Sequence, residues 1–170
     1  MRLRFAAAAA ALSLLSPAFA SRVHAAEENE GQGHPAAHGG CLNAIEACSI
    51  GHAEALVEEG ALKVWFVGGD GATTASVRLA ASAIPLLVST DGGLAARLLV
   101  LEPRPLRLAE ESEGDCSHYA VSADWLEGAE SFVAVGIVRF KGALRVLRLD
   151  WPEGFDPDDG EDGGGGEGEE

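Results

Sequence analysis

Residues 132–150 read FVAVGIVRFKGALRVLRLD, two apolar runs of strand length on either side of the dipeptide Lys141-Gly142. In the first run, successive residues alternate between two faces, which is the period of two that a β-strand imposes. The glycine supplies the positive φ that a tight hairpin turn requires. This stretch therefore predicts an antiparallel β-hairpin, with Leu144 and Val146 on the wetter face of its second strand.

Strand-like runs separated by glycine turns recur along the rest of the chain. The further runs lie at 41–47, 52–58, 62–67, 74–80, 84–90, 94–101 and 117–123. Their spacing of roughly 8–12 residues is typical of a sandwich or a barrel. No alternation of strands with helices occurs, so we expect an all-β fold. The predicted architecture is an immunoglobulin-like antiparallel β-sandwich of about 7–9 strands, with a small β-barrel as the alternative.

The first 20 residues have the features of a secretory signal peptide. Arg2 and Arg4 precede the apolar run 6–15, and the sequence Ala-Phe-Ala at 18–20 is the small-x-small pattern that a signal peptidase accepts. The apolar run is shorter than the roughly 20 residues of a spanning helix. We therefore expect export to the periplasm or secretion, without a membrane anchor.

The remaining ends differ in composition from the centre. Residues 21–40 are rich in Ala, Gly, Glu and His without strand or helix periodicity, which predicts a flexible lead-in. Residues 155–170 carry eight acids and no base, so they bury too little apolar surface to offset the entropy cost of ordering. The predicted organisation is a folded domain at 41–154 followed by a disordered acidic tail.

The charge balance limits the partners. The chain has 12 Lys and Arg against 27 Asp and Glu, a formal net charge of -15. Such a chain repels nucleic acids and anionic membrane surfaces and attracts cations. No Gly-x-Ser-x-Gly motif or other catalytic arrangement is found, so we expect a binding protein and not an enzyme.

Three cysteines leave the disulfide pattern open. Cys41, Cys48 and Cys116 allow at most one intrachain disulfide in an exported protein, with one thiol left over. Each of the three pairings remains possible on the sequence alone. The alternative role for a cysteine here is that of a thiolate metal ligand.

Two i, i+2 pairs provide candidate metal ligands. In a strand, His52 and Glu54 point to one face, and Cys116 and His118 would do the same. Imidazole, carboxylate and thiolate groups together suit zinc or copper. The only methionine is Met1, which excludes a methionine-rich copper(I) site. The alternative interpretation of each pair is a polar, half-exposed strand surface.

His38 is a further candidate, but it needs a particular path. A turn centred on Ser49 sets His52 opposite Glu46. The same register sets His38 opposite Gly60, several residues away along the sheet. His38 therefore joins a shared site only if the lead-in folds back over the strand.

These motifs also resemble known proteins. The run His-Gly-Gly at 38–40, followed by His52-x-Glu54 and by Val-x-Phe-Val-Gly-Gly-Asp at 64–70, is similar to small exported bacterial proteins. It is also similar to segments attached to periplasmic adaptor subunits of heavy-metal efflux pumps. The resemblance covers about residues 38–157. It implies metal binding by the histidines and the glutamate of these motifs.

Two functions follow from the sequence. The first is an exported protein that buffers a soft or borderline cation such as zinc or copper, or delivers it to a periplasmic efflux component. Its candidate ligands are His38, His52, Glu54, Cys116 and His118. The second is a metal-free periplasmic interaction module in which the cysteines are structural.

Overall fold

In this computed structural model, the described residues are 36–69, 74–90 and 96–157, and about half of them lie in eight antiparallel strands. The strands are β1 (Cys41–Ala44), β2 (Gly51–Glu58), β3 (Ala61–Gly68), β4 (Ile84–Ser89), β5 (Arg97–Pro103), β6 (His118–Ser122), β7 (Phe132–Phe140) and β8 (Ala143–Trp151). Two short 3₁₀ helices, Arg107–Ala109 and Asp124–Gly128, lie between strands. Within the described ranges, no helix has the length and apolar character needed to cross a membrane.

The eight strands form one sheet in the order β1-β2-β3-β6-β5-β4-β7-β8, which nearly closes on itself. The seam between β1 and β8 is joined by the fully buried Asn43, whose side-chain oxygen accepts a hydrogen bond from the Asp150 N–H at 2.7 Å. Phe155 extends the seam, because its N–H donates to Leu42 O at 3.2 Å and its carbonyl accepts from Ala44 N at 2.6 Å. The two outer strands of the sheet are therefore fastened to each other.

The all-β, antiparallel fold expected from the sequence is confirmed, and of the two expected arrangements the structure shows the barrel-like one. Eight of the nine strand-like runs form strands. The run at 74–80 does not. It makes only isolated bridges, from Ser76 to Val67 and from Leu79 to Cys116, because it passes between the end of β3 and the segment that precedes β6.

The predicted boundary of the acidic tail differs from the structure. Phe155 belongs to the folded part through its backbone bonds to β1, and the Cys48 thiol contacts the Asp156 carboxylate at 3.3 Å. The predicted signal peptide, residues 21–35 of the lead-in and residues 158–170 lie outside the described residues.

Each of the strands β2 and β3 turns one face to the core and the other face to the outside. Ala53, Ala55 and Val64 point inward and are fully buried in the core. Glu54 and Trp65 alternate with them and are directly paired across the two strands, so they share the outer face. The candidate ligands of β2 therefore lie outside the core.

The second half of the sheet leaves its outer face uncovered. Eight large aliphatic side chains of β4, β5, β7 and β8 are each between 37 and 66 % exposed, and we call this surface the aliphatic face. Its members are Leu87, Leu98, Val100, Val133, Val135, Ile137, Leu144 and Val146. The exposure of Leu144 and Val146 agrees with the wetter face predicted for β8.

Candidate functional site

The Glu54 carboxylate is the centre of a polar cluster on the outer face of β2. It is fully buried, and its Oε1 accepts hydrogen bonds from the backbone N–H groups of His38 at 2.6 Å and Gly40 at 3.1 Å. Its Oε2 lies 2.8 Å from Nδ1 of the His38 ring. A carboxylate only accepts, so this imidazole nitrogen carries the hydrogen. The buried carboxylate thus holds residues 38–40 against the sheet.

Two glycines make this fold-back possible. Gly39 has φ +80°, a conformation that side chains disfavour. Gly40 packs so closely on β2 that a Cβ atom there would overlap the carbonyl oxygen of Ala55. The His-Gly-Gly sequence therefore turns the lead-in over the strand, and His38 reaches the site by the only route that the register allowed.

The register itself differs slightly from the prediction. The chain turns so that Ala44, and not Glu46, lies opposite His52. With this register, an undisturbed strand would still place His38 several residues away from His52. The turn at 38–40 instead brings His38 to Glu54.

A stack of three rings forms beside the carboxylate. The Trp65 indole lies between the imidazoles of His38 and His118, with ring centroids 4.2 and 4.5 Å apart and interplanar angles of 5° and 4°. Trp65 is paired with Glu54 on β2 and with His118 on β6, which places all three on the outer face. Because the indole separates the two imidazoles, they cannot bind one metal ion together in this arrangement.

His118 is held in an environment that favours the neutral ring. Burial is the main cause that lowers its pKa, and the positive charges of His38 and Lys63 add to the effect. Its Nε2 atom is buried and has no hydrogen-bond partner among the described residues. The ring thus stacks on Trp65 without a polar partner for that nitrogen.

His52 precedes Glu54 by two residues on β2 and lies on the same outer face, as the alternation predicted. The residue is fully buried, and its Nδ1 lies 3.3 Å from Gly68 O. A carbonyl oxygen only accepts, so Nδ1 carries the hydrogen and, in the neutral ring, Nε2 carries the lone pair. His52 and Glu54 are therefore neighbouring donors on one strand.

Cys116 is not with the other candidates. It is fully buried in the core, and its thiol donates to the His118 carbonyl at 3.4 Å. The sequence predicted that the two side chains share a face, but Cys116 lies before β6 begins and bridges to Leu79, so the strand alternation does not extend to it. The structure brings together His38, Glu54 and Trp65 instead.

All three cysteines are in the thiol form. Burial raises the pKa of the Cys41 thiol to about 11, which makes it a poor nucleophile at neutral pH. None of the disulfide pairings left open by the sequence is present in this structure.

Trp65 is the site residue that the sequence analysis did not single out. Its signal was available only through the strand register, because Trp65 stands opposite a candidate ligand on each neighbouring strand.

In the part of the chain that the structure describes, no group of three or more His, Cys, Asp or Glu side chains is arranged to hold a metal ion. No family model, curated protein or solved structure matches the chain. The argument for function therefore rests on the geometry of the site.

Proposed function

We propose that the chain is an exported protein that binds a borderline cation such as zinc or copper at the pair His38 and Glu54. The observation that carries the proposal is the 2.8 Å contact between His38 Nδ1 and Glu54 Oε2. It is an imidazole nitrogen next to a carboxylate oxygen, which is a donor pair that zinc and copper accept.

The pair needs little movement to admit a metal. A tetrahedral zinc ion with ligands at about 2.1 Å holds nitrogen and oxygen roughly 3.4 Å apart. From the present 2.8 Å, the two atoms must separate by about 0.6 Å as the bridging hydrogen leaves. His52 is the next side chain on the same face of β2, but it is not counted as a ligand, because no three such groups in the described residues are arranged to hold a metal ion.

The other two candidates are not ligands in this proposal. His118 lies behind the Trp65 indole, and Cys116 lies in the core. The three-ring stack instead fixes the orientation of the His38 imidazole. One face of this ring lies on Trp65, and its Nδ1 atom lies against the Glu54 carboxylate.

The exposure of the site favours exchange over permanent storage. The His38 side chain is 38 % exposed, whereas Glu54 is fully buried. One ligand can thus leave while the other stays, which is the behaviour of a protein that buffers a cation or passes it on. The acidic chain raises the local cation concentration, and a periplasmic efflux component is the partner we propose.

The test is zinc binding to the purified protein without a histidine tag, measured by calorimetry. We expect about one equivalent, with affinity that falls as pH decreases because protons compete for imidazole. His38→Ala and Glu54→Gln should each weaken binding by more than about tenfold, which is roughly 1.4 kcal/mol.

Three controls make the test specific. Glu58→Gln removes one negative charge from an exposed position of the same strand and should leave zinc affinity unchanged. His118→Phe, which keeps a ring on Trp65, and Cys116→Ser should also have little effect. Equal losses at all of these positions, or no binding in the micromolar range, would contradict the proposed site.

A second candidate function is supported by a different observation. The aliphatic face is exposed, and large exposed apolar patches mark interaction sites. This favours the metal-free interaction module, and the two functions occupy different strands of the sheet.

A further inference from the structure

We infer that two copies of this chain associate through the aliphatic face. The face lies on β4, β5, β7 and β8, whereas the proposed cation site lies on β2 and the turn before β1. The inference is therefore independent of metal binding.

The exposed side chains form one continuous surface. Leu87 on β4 is paired with Leu98 on β5 and with Val135 on β7. Ile137 follows on β7 and is paired with Val146 on β8. Residues opposite one another in neighbouring strands have Cβ atoms about 5 Å apart, so the aliphatic groups touch across four strands.

The area of this surface matches that of a stable interface. The eight side chains expose on the order of 700 Å², which exceeds the few hundred Å² of an ordinary surface patch. Two copies docked face to face would bury about 1,400 Å², within the range of about 1,200–2,000 Å² of specific protein interfaces.

The charge of the face selects a second copy as the occupant. The charged side chains at the outward positions of the four strands are Glu102, Arg139, Arg148 and Asp150, two acids and two bases. The whole chain carries -15, so this face lacks the acidic excess that would attract a cationic partner. Repulsion between two equally acidic copies is smallest where the contacting surfaces have no net charge.

Other modes of association are less suited to this structure. Addition of a strand at a sheet edge is blocked, because Asn43 and Phe155 occupy the seam between β1 and β8. The eight members of the aliphatic face include no Trp or Tyr, the residues that membrane surfaces favour at the headgroup level. Face-to-face docking of two sheets remains.

The test is the molar mass in solution, measured by sedimentation or light scattering from about 1 to 200 µM, a range that spans micromolar dissociation constants. We expect the mass of the wild-type protein to double with concentration, equally with zinc and with a chelator. Ile137→Glu and Leu98→Glu should each raise the dissociation constant by at least about 100-fold.

The matched control is Leu108→Glu. Leu108 is fully exposed in the short helix outside the face, so the same change of charge there should leave the dimer intact. Circular dichroism should show unchanged folding in all three variants, since each residue replaced is exposed.

A wild-type mass that stays monomeric over the whole range would overturn the inference, and so would an equal loss in Leu108→Glu. Binding to phosphatidylcholine and phosphatidylglycerol vesicles without self-association would assign the face to a membrane surface and overturn it as well. Dimerisation that requires zinc would place the contact at the cation site instead.

Discussion

Replacing Asn43 by alanine should open the seam between β1 and β8. The Asn43 side-chain oxygen accepts from the Asp150 N–H at 2.7 Å, and its amide group donates to the carbonyls of Ala53 and Cys41 at 3.3 Å each. Alanine has neither group. The Asp150 N–H would then lose its partner in a region without solvent, whereas the Ala53 carbonyl would lose the amide bond but still face the backbone N–H of Asn43 in the β1–β2 ladder.

The magnitude follows from these lost bonds. A buried donor left without a partner costs about 1–3 kcal/mol, and the lost amide bond to the Ala53 carbonyl adds about 1 kcal/mol, so the free energy of unfolding should fall by about 3 kcal/mol. A domain of roughly 115 ordered residues has an unfolding entropy near 0.24 kcal/mol/K. The melting temperature should therefore fall by about 12 °C.

The assay is thermal unfolding followed by circular dichroism, at one protein concentration so that self-association is constant. Ser122→Ala is the control, because it removes a polar group from an exposed end of β6 and should change the melting temperature by less than about 2 °C. A loss smaller than about 4 °C in Asn43→Ala would refute the reasoning, since it would mean that the seam contributes under about 1 kcal/mol.

Three further predictions concern the tail, the ring stack and the turn. Deleting residues 155–170 should lower the melting temperature by about 8 °C more than deleting 158–170, because only the longer deletion removes two backbone hydrogen bonds to β1. The free energy of unfolding, measured with urea, should fall less in His118→Phe than in the wild type when the pH is lowered from about 7 to 5. The lowered pKa of the folded histidine means that the unfolded state takes up the proton first as pH falls below 6.5, whereas above 6.5 both states are neutral and the variant should show the wild-type pH dependence. Gly40→Ala should raise the hydrogen-exchange rate of that amide at least about tenfold, because its Cβ would displace the turn from the carboxylate, while Gly128→Ala, with open space around it, should leave this rate unchanged.

The strands were predictable because their pattern is local. In β7, buried and exposed residues alternate from Phe132 to Phe140, and the sequence alone shows that period. The run at 74–80 shows a similar pattern, yet no neighbouring strand is free to pair with it over its length. Whether an apolar run becomes a strand depends on its partner, which the run does not encode.

The candidate site was predictable only in part. The shared face of His52 and Glu54 follows from their spacing, whereas the position of Trp65 between two imidazoles requires the register of three strands. Cys116 was misplaced because strand alternation was extended two residues beyond the start of β6. His38 was correctly expected to need a fold-back, but nothing local showed that a buried carboxylate would hold it.

The seam also determines when the domain can finish folding during synthesis. Asn43 and Asp150 are 107 residues apart in the chain, whereas β7 and β8 pair across a two-residue turn. Contacts between distant residues form late, because a long loop must close first. A nascent chain therefore carries a finished hairpin and an open sheet until Phe155 has emerged, so we expect arrest of synthesis before that residue to leave β1 accessible to chaperones.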